Sequence, residues 1–324
     1  MVSALEIFGN KNVTEKISCM LNSGRLSHSF LLYGEKGLGK KTLAKYIAMK
    51  LLCSNEKSPC GECFHCRNII NNTHPDVIWA EHSGKTNSIA SDTVRKICND
   101  VSIKPNYTKK IFIFGDADIM NSTAQNILLK SVEEPPEYAY YIFTSKAKDT
   151  FLPTILSRVV SINVTECSDK ECINALSSMN YTQEQIYEAI GCFHGNIGNC
   201  IDYLNKGELY TSVEIVKQFN SSILNRDEYE LLKVFTQLNG NKDLTKKTLS
   251  IIDKHIRDVI AVKISCNTPA GCYFEGAKLL AQRLSIQSCQ NMHLDIYNAL
   301  NDIDSNVNIN LIIASLCGNI ITNV

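Results

Sequence analysis

An excess of charge of either sign is missing from this chain, whose 33 Lys and Arg are balanced by 33 Asp and Glu. No net field draws it toward nucleic acid or a membrane, and any basic contact surface has to be local. It also has no uninterrupted apolar run near the roughly 18 residues of a membrane span. The opening stretch MVSALEIFGNKN holds no basic segment followed by a long apolar run, so the expected compartment is the cytoplasm. Internal repeats and low-complexity linkers are lacking as well, which excludes a repeat architecture.

Cysteine, by contrast, is plentiful. Fourteen of them in a reducing compartment point to free thiols and metal ligation, not to disulfides. In the same setting a match to N-x-[ST] such as NVT at Asn12 carries no glycosylation meaning. The length of 324 residues suits two or three domains, and 44% hydrophobic content lets each bury a core.

Short apolar runs alternate with helical patterns in the first half: Phe30 to Tyr33, Val77 to Ala80, Ile111 to Phe114, Tyr141 to Thr144 and Val159 to Val164. That alternation predicts a parallel sheet covered by helices on both faces. Leu43, Ala44, Ile47, Ala48 and Leu51 recur at helical spacing. Met120, Ala124, Ile127 and Leu128 form a second stripe, which Pro135 and Pro136 stop. The predicted organisation is an α/β domain over 1–165, a small helical lid over 166–205 turning at HGNIGN, and an all-helical domain over 206–324. In the last, Ile252, Ile256, Val259 and Ile260, and then Leu294, Tyr297, Leu300 and Ile303, are the expected core stripes.

Three motifs carry chemistry. Cys53, Cys60, Cys63 and Cys66 follow a C-x6-C-x2-C-x2-C spacing. Four thiolates so close in sequence suit one tetrahedral Zn²⁺, and a site closed by four sulfurs is structural because no position is open to water. His65 lies within the knuckle and is not needed as a ligand.

The second motif is YGEKGLGKKT, a G-x-x-x-x-G-K-[ST] phosphate loop in which Gly34, Gly39 and Lys40 fit, with Gly37 between them. Its backbone amides, the following helix and Lys40 can hold an anion, so ATP binding stays open. Hydrolysis needs Mg²⁺ held by a loop hydroxyl and an acidic residue at a later strand end. Lys41 supplies no oxygen and repels a cation, and Thr42, one residue late, is turned about 100° around the helix. The later strand is the third motif. Gly115 takes the place of its metal-binding acid and Asp116 that of the water-activating one, while Asp116 and Asp118 are alternatively caps for the next helix.

RLSHSFLLYGEKGLGKKT, the cysteine knuckle, HPDVIWAE, NILLKSVEEPP and ILSRV, in this order, resemble the clamp-loader subunits of bacterial DNA polymerase III, which are AAA+ proteins. The resemblance is greatest to their delta-prime kind, and SNVNINLIIASL near the end is similar to the closing helix of the family's collar domain. It implies that Arg158, in the position of the family's Ser-Arg-Cys motif, is an arginine finger acting in trans on a neighbouring subunit's ATP site. Val159 stands where that motif has cysteine. The resemblance also implies a polar sensor at Thr144 and Ser145, and it leaves Asn199 where motor subunits offer an arginine. The implied partners are tau/gamma and delta-type subunits, with the sliding clamp and primed DNA reached through the complex. Two other functions remain open on sequence: an ATP-hydrolysing tau/gamma-type motor subunit, and a zinc-dependent DNA-binding protein, against which the neutral charge speaks.

Overall fold

The computed structural model describes residues 7–22, 27–82, 88–238, 240–266 and 271–323. Met1 to Glu6 of the opening stretch, Arg25 and Leu26 of RLSHSF, and Val324 at the predicted end of the last domain lie outside them. The chain divides into two compact units, residues 1–172 and 173–324.

The first unit is built on strands β1 (Ser29–Tyr33), β2 (Val77–Trp79), β3 (Lys110–Phe114), β4 (Ala139–Ser145) and β5 (Val160–Asn163). All pair in parallel, in the order β2-β3-β4-β1-β5. The five apolar runs of the sequence are these five strands. A parallel sheet is covered on both faces, so its central strands must be apolar throughout, and every residue of β3 and β4 is buried.

Alternation along each strand divides the core in two. Phe30, Leu32, Ile111, Ile113 and Ile142 pack on one face with Leu43, Ala44, Ile47 and Leu51. Leu31, Phe112, Phe114, Tyr141 and Phe143 pack on the other with Val94, Ala124, Leu128 and Ile155. The helices supplying these contacts are α1 (Lys11–Asn22), α2 (Lys40–Leu52), α3 (Phe64–Ile70), α4 (Ser91–Val101), α5 (Ser122–Glu133) and α6 (Pro153–Leu156). Helix α5 ends at Glu133, just before Pro135, as the stripe predicts. Helix α7 (Asp169–Ser177) carries the chain across the boundary between the units.

Among the described residues the second unit is wholly helical: α8 (Gln183–Phe193), α9 (Ile197–Leu204), α10 (Glu208–Asn225), α11 (Glu228–Thr236), α12 (Lys242–Lys263), α13 (Phe274–Arg283), α14 (Ile286–Asp304) and α15 (Ile309–Thr322). The turn expected at HGNIGN separates α8 from α9, with Asn196 accepting the Asn199 N–H as N-cap. Helix α12 buries Ile252, Ile256 and Val259 as predicted. Helix α14 keeps the predicted stripe at Ile303 but not at Leu294 or Tyr297. It buries Cys289, Met292, Ile296, Ala299 and Ile303, while Leu294 and Tyr297 are each 56% exposed. No helix among the described residues is long and apolar enough to cross a membrane.

Candidate functional site

Strand β1 delivers the chain to the glycine loop at its carboxyl end, and α2 leaves from it. Gly34 has a φ of 148°, and a Cβ there would lie 2.3 Å from the Val164 carbonyl oxygen, so only glycine fits. Gly37 and Gly39 are also left-handed, at 90° and 80°. Lys40 opens α2 buried, its Nζ donating to the carbonyl oxygens of Gly34 at 2.7 Å and Glu35 at 2.6 Å. Burial lowers its pKa. Thr42 is half-buried in the same first turn.

The next lysine points elsewhere. Lys41 Nζ lies 2.6 Å from Asp116 Oδ2, an ion pair between residues 75 apart in the chain. They meet because only β4 separates β1 from β3, whose carboxyl end carries Gly115 and Asp116. Asp116 is left-handed at φ 46°, and its N–H donates to Thr144 Oγ1 at 2.9 Å. Burial pushes the Asp116 carboxyl up, but the hydrogen bond and charge of Lys41 outweigh it and hold its pKa below the ordinary value.

The capping role considered for Asp116 and Asp118 goes instead to Asn121, which accepts the Ala124 N–H and starts α5. Asp116 makes no side-chain cap bond because its carboxylate is turned to Lys41. Thr144 positions Asp116 through its backbone, a role that a hydroxyl at a strand end does not announce in sequence. Ser145 Oγ donates to the Ala147 carbonyl oxygen at 2.7 Å.

Arg158 has other partners. It follows α6, and its guanidinium donates to Glu133 Oε1 at 2.6 Å, the Thr154 carbonyl at 2.9 Å and Ser157 Oγ at 3.1 Å. Glu133 comes from the carboxyl end of α5.

The four cysteines do come together. Cys53 closes α2, Cys63 caps α3, and Cys66 lies buried within α3. All four Sγ atoms lie within 4.8 Å of one another, with Cys53 Sγ 3.7 Å from that of Cys60 and 3.9 Å from that of Cys63. Sulfurs about 2.3 Å from a tetrahedral zinc stand roughly 3.8 Å apart, so the donor set fits that ion. The backbone N–H groups of Cys63 and Glu62 bring the Cys60 thiol down to about 6, while burial pushes the Cys63 and Cys66 thiols up. His65 is not one of the donors: its Nδ1 is 2.9 Å from His74 Nε2. Beside it, the buried Asp76 carboxylate accepts the Asn106 N–H at 2.8 Å, the Asn106 side-chain amide at 2.9 Å and the Tyr107 N–H at 2.9 Å. In sequence Asp76 was only a letter of HPDVIWAE. Its work is to pin the segment that leads into β3.

Comparison with known proteins adds the family. Residues 9–168 match the family model described as "DNA polymerase III, delta subunit". A DNA polymerase III gamma subunit from Buchnera aphidicola subsp. Acyrthosiphon pisum is 26% identical over 262 residues, covering 77% of this chain and 70% of the relative. A delta' subunit from Pseudomonas aeruginosa is 36% identical over 137 residues, 41% of this chain and 42% of the relative. A gamma subunit-related protein from Thermotoga maritima covers 93% of this chain and 97% of its own, at 16% identity and a TM-score of 0.48. With the family model over the α/β unit and relatives of both subunit kinds, the chain belongs to the AAA+ clamp-loader family of DNA polymerase III.

Proposed function

We propose that this chain is a delta-prime-type clamp-loader subunit, one that does not hydrolyse ATP itself and lends Arg158 to the ATP site of a neighbouring subunit. The observation that carries this is the Lys41 ammonium resting on Asp116, where a hydrolysing loop needs metal-binding oxygens. The opposite end of the sheet supports a trans role for Arg158. The residue stands at the amino end of β5, while the glycine loop leaves the carboxyl end of β1, its parallel neighbour. About five residues of extended chain, on the order of 15 Å, separate the two ends. An arginine so placed cannot reach its own loop, and it is half-exposed toward solvent where a second subunit can dock.

In this proposal residues 1–165 form the AAA+ domain, 166–205 the lid and 206–324 the collar through which the subunits assemble. Cys53, Cys60, Cys63 and Cys66 hold a structural zinc, which fixes the chain between α2 and α3 when bound. The partners are tau/gamma and delta-type subunits in a cytoplasmic hetero-oligomer, and through them the sliding clamp and primed DNA.

The gamma relative, matched over 70% of its length, favours a second reading in which this chain is itself a motor subunit. One measurement separates them. The isolated chain is expected to show no magnesium-dependent ATP turnover, and robust turnover abolished by Lys40→Ala establishes the motor instead.

A further inference from the structure

We infer that Lys41 is a tethered cation standing in the place of the divalent metal, and that Gly115 is the companion change that makes room for it. The inference deepens the proposed function and shares with it the descent of this loop from nucleotide-binding ones. The two departures from the hydrolysing pattern, 75 residues apart, are then one exchange and not two losses.

The geometry is specific. A Cβ built on Gly115 would lie 3.3 Å from Lys41 Cε and 3.8 Å from its Nζ, with the Trp79 ring on another side at 3.6 Å. The flexible end of the Lys41 side chain therefore packs against position 115; a Cβ there would displace it by a few tenths of an ångström, and an aspartate carboxylate would reach further into the space it occupies. Beyond it, the ammonium meets Asp116 Oδ2 at 2.6 Å, while the left-handed backbone and the Thr144 Oγ1 acceptor fix where that carboxylate stands. His82 closes the rim, its Nε2 2.8 Å from the Gly115 carbonyl oxygen.

These residues do not fit Mg²⁺, which needs near-octahedral oxygen ligands at about 2.1 Å. The loop hydroxyl is replaced by an ammonium, the strand-end acid by glycine, and the acid that remains is already neutralised. A lysine offers a fixed charge with no coordination demand, so the site keeps a positive pole and loses the capacity to recruit a metal.

Manganese binding to the zinc-loaded full-length chain, followed by electron paramagnetic resonance, tests this. Relative to the unmodified chain, Lys41→Thr is expected to tighten Mn²⁺ binding by about tenfold or more, and adding Asp116→Asn to abolish the gain. Gly115→Asp is expected to lower the melting temperature when Lys41 is present and not in the Lys41→Thr background, where it tightens Mn²⁺ further. Lys41→Ser provides the same readout should Lys41→Thr misfold. Unchanged Mn²⁺ affinity on removing Lys41, a gain that survives Asp116→Asn, or equal tolerance of Gly115→Asp in both backgrounds overturns the inference. No partner subunit enters these measurements, so their failure leaves the assembly and Arg158 readouts standing, and failure there leaves these untouched.

Discussion

At the scale of single residues, buried polar groups set the conditions under which this chain stays folded. His255 of α12 is fully buried; its Nε2 lies 2.9 Å from Asn220 Oδ1 on α10, which makes Nε2 the protonated nitrogen. Nδ1 has no hydrogen-bond partner among the described residues, Tyr273 stacks on the ring, and Asp258 one turn on is engaged by the Gly271 N–H. Burial alone drives its pKa from 6.5 down to about 4. A histidine depressed in this way contributes stability that is present above the unfolded value and lost as pH falls from 6.5 toward 4. At pH 5 the loss comes to about 2 kcal/mol. Thermal melts at pH 7 and pH 5 should therefore differ more for the unmodified chain than for His255→Gln, and equal differences would count against this assignment. Gly34→Ala is a second residue-scale test: with Val164 O at 2.3 Å, unfolding should become easier by about 1–3 kcal/mol.

At the scale of elements, the knuckle joins the end of α2 to the start of α3, and Cys53 and Cys66 belong to the core beneath the sheet. Zinc binding should therefore couple to the stability of that packing layer. The double substitution Cys60→Ser with Cys63→Ser is expected to reduce zinc from about one atom per chain to near none by elemental analysis, and to lower the melting temperature. An unmodified protein free of metal would refute the zinc assignment. The five strands, the loop, the cysteine cluster and the end of α5 were all legible in the sequence, because each follows from local spacing. The register of α14 was not. Its apolar residues lie on more than one face at helical spacing, and only packing against α12 and α15 decides that Met292 and Ile296 go inward while Leu294 and Tyr297 stay out. The contact between Lys41 and Asp116 was likewise hidden, since strand order, not sequence distance, makes them neighbours.

At the scale of the whole molecule, the proposed function makes the chain one half of a site that a neighbour completes. Arg158→Ala should leave the reconstituted complex assembled and reduce its ATP turnover, by up to about 10³ to 10⁵ where the finger carries the whole effect. Size-exclusion chromatography reports the first outcome and phosphate release the second; unchanged turnover would remove Arg158 from the mechanism. Glu133 holds the guanidinium in the isolated chain, so the neighbour's phosphates compete with a carboxylate already in place. The pairing of β1 with β5 has a mechanical consequence. One short ladder, Phe30 opposite Val160 through Tyr33 opposite Asn163, ties the glycine loop at one end to the base of Arg158 at the other. In a working motor such a ladder would act as a pushrod, passing each nucleotide change from one interface to the next. Under the proposed function, with Lys41 paired to Asp116 where a metal would sit, that pushrod has no stroke of its own in this chain.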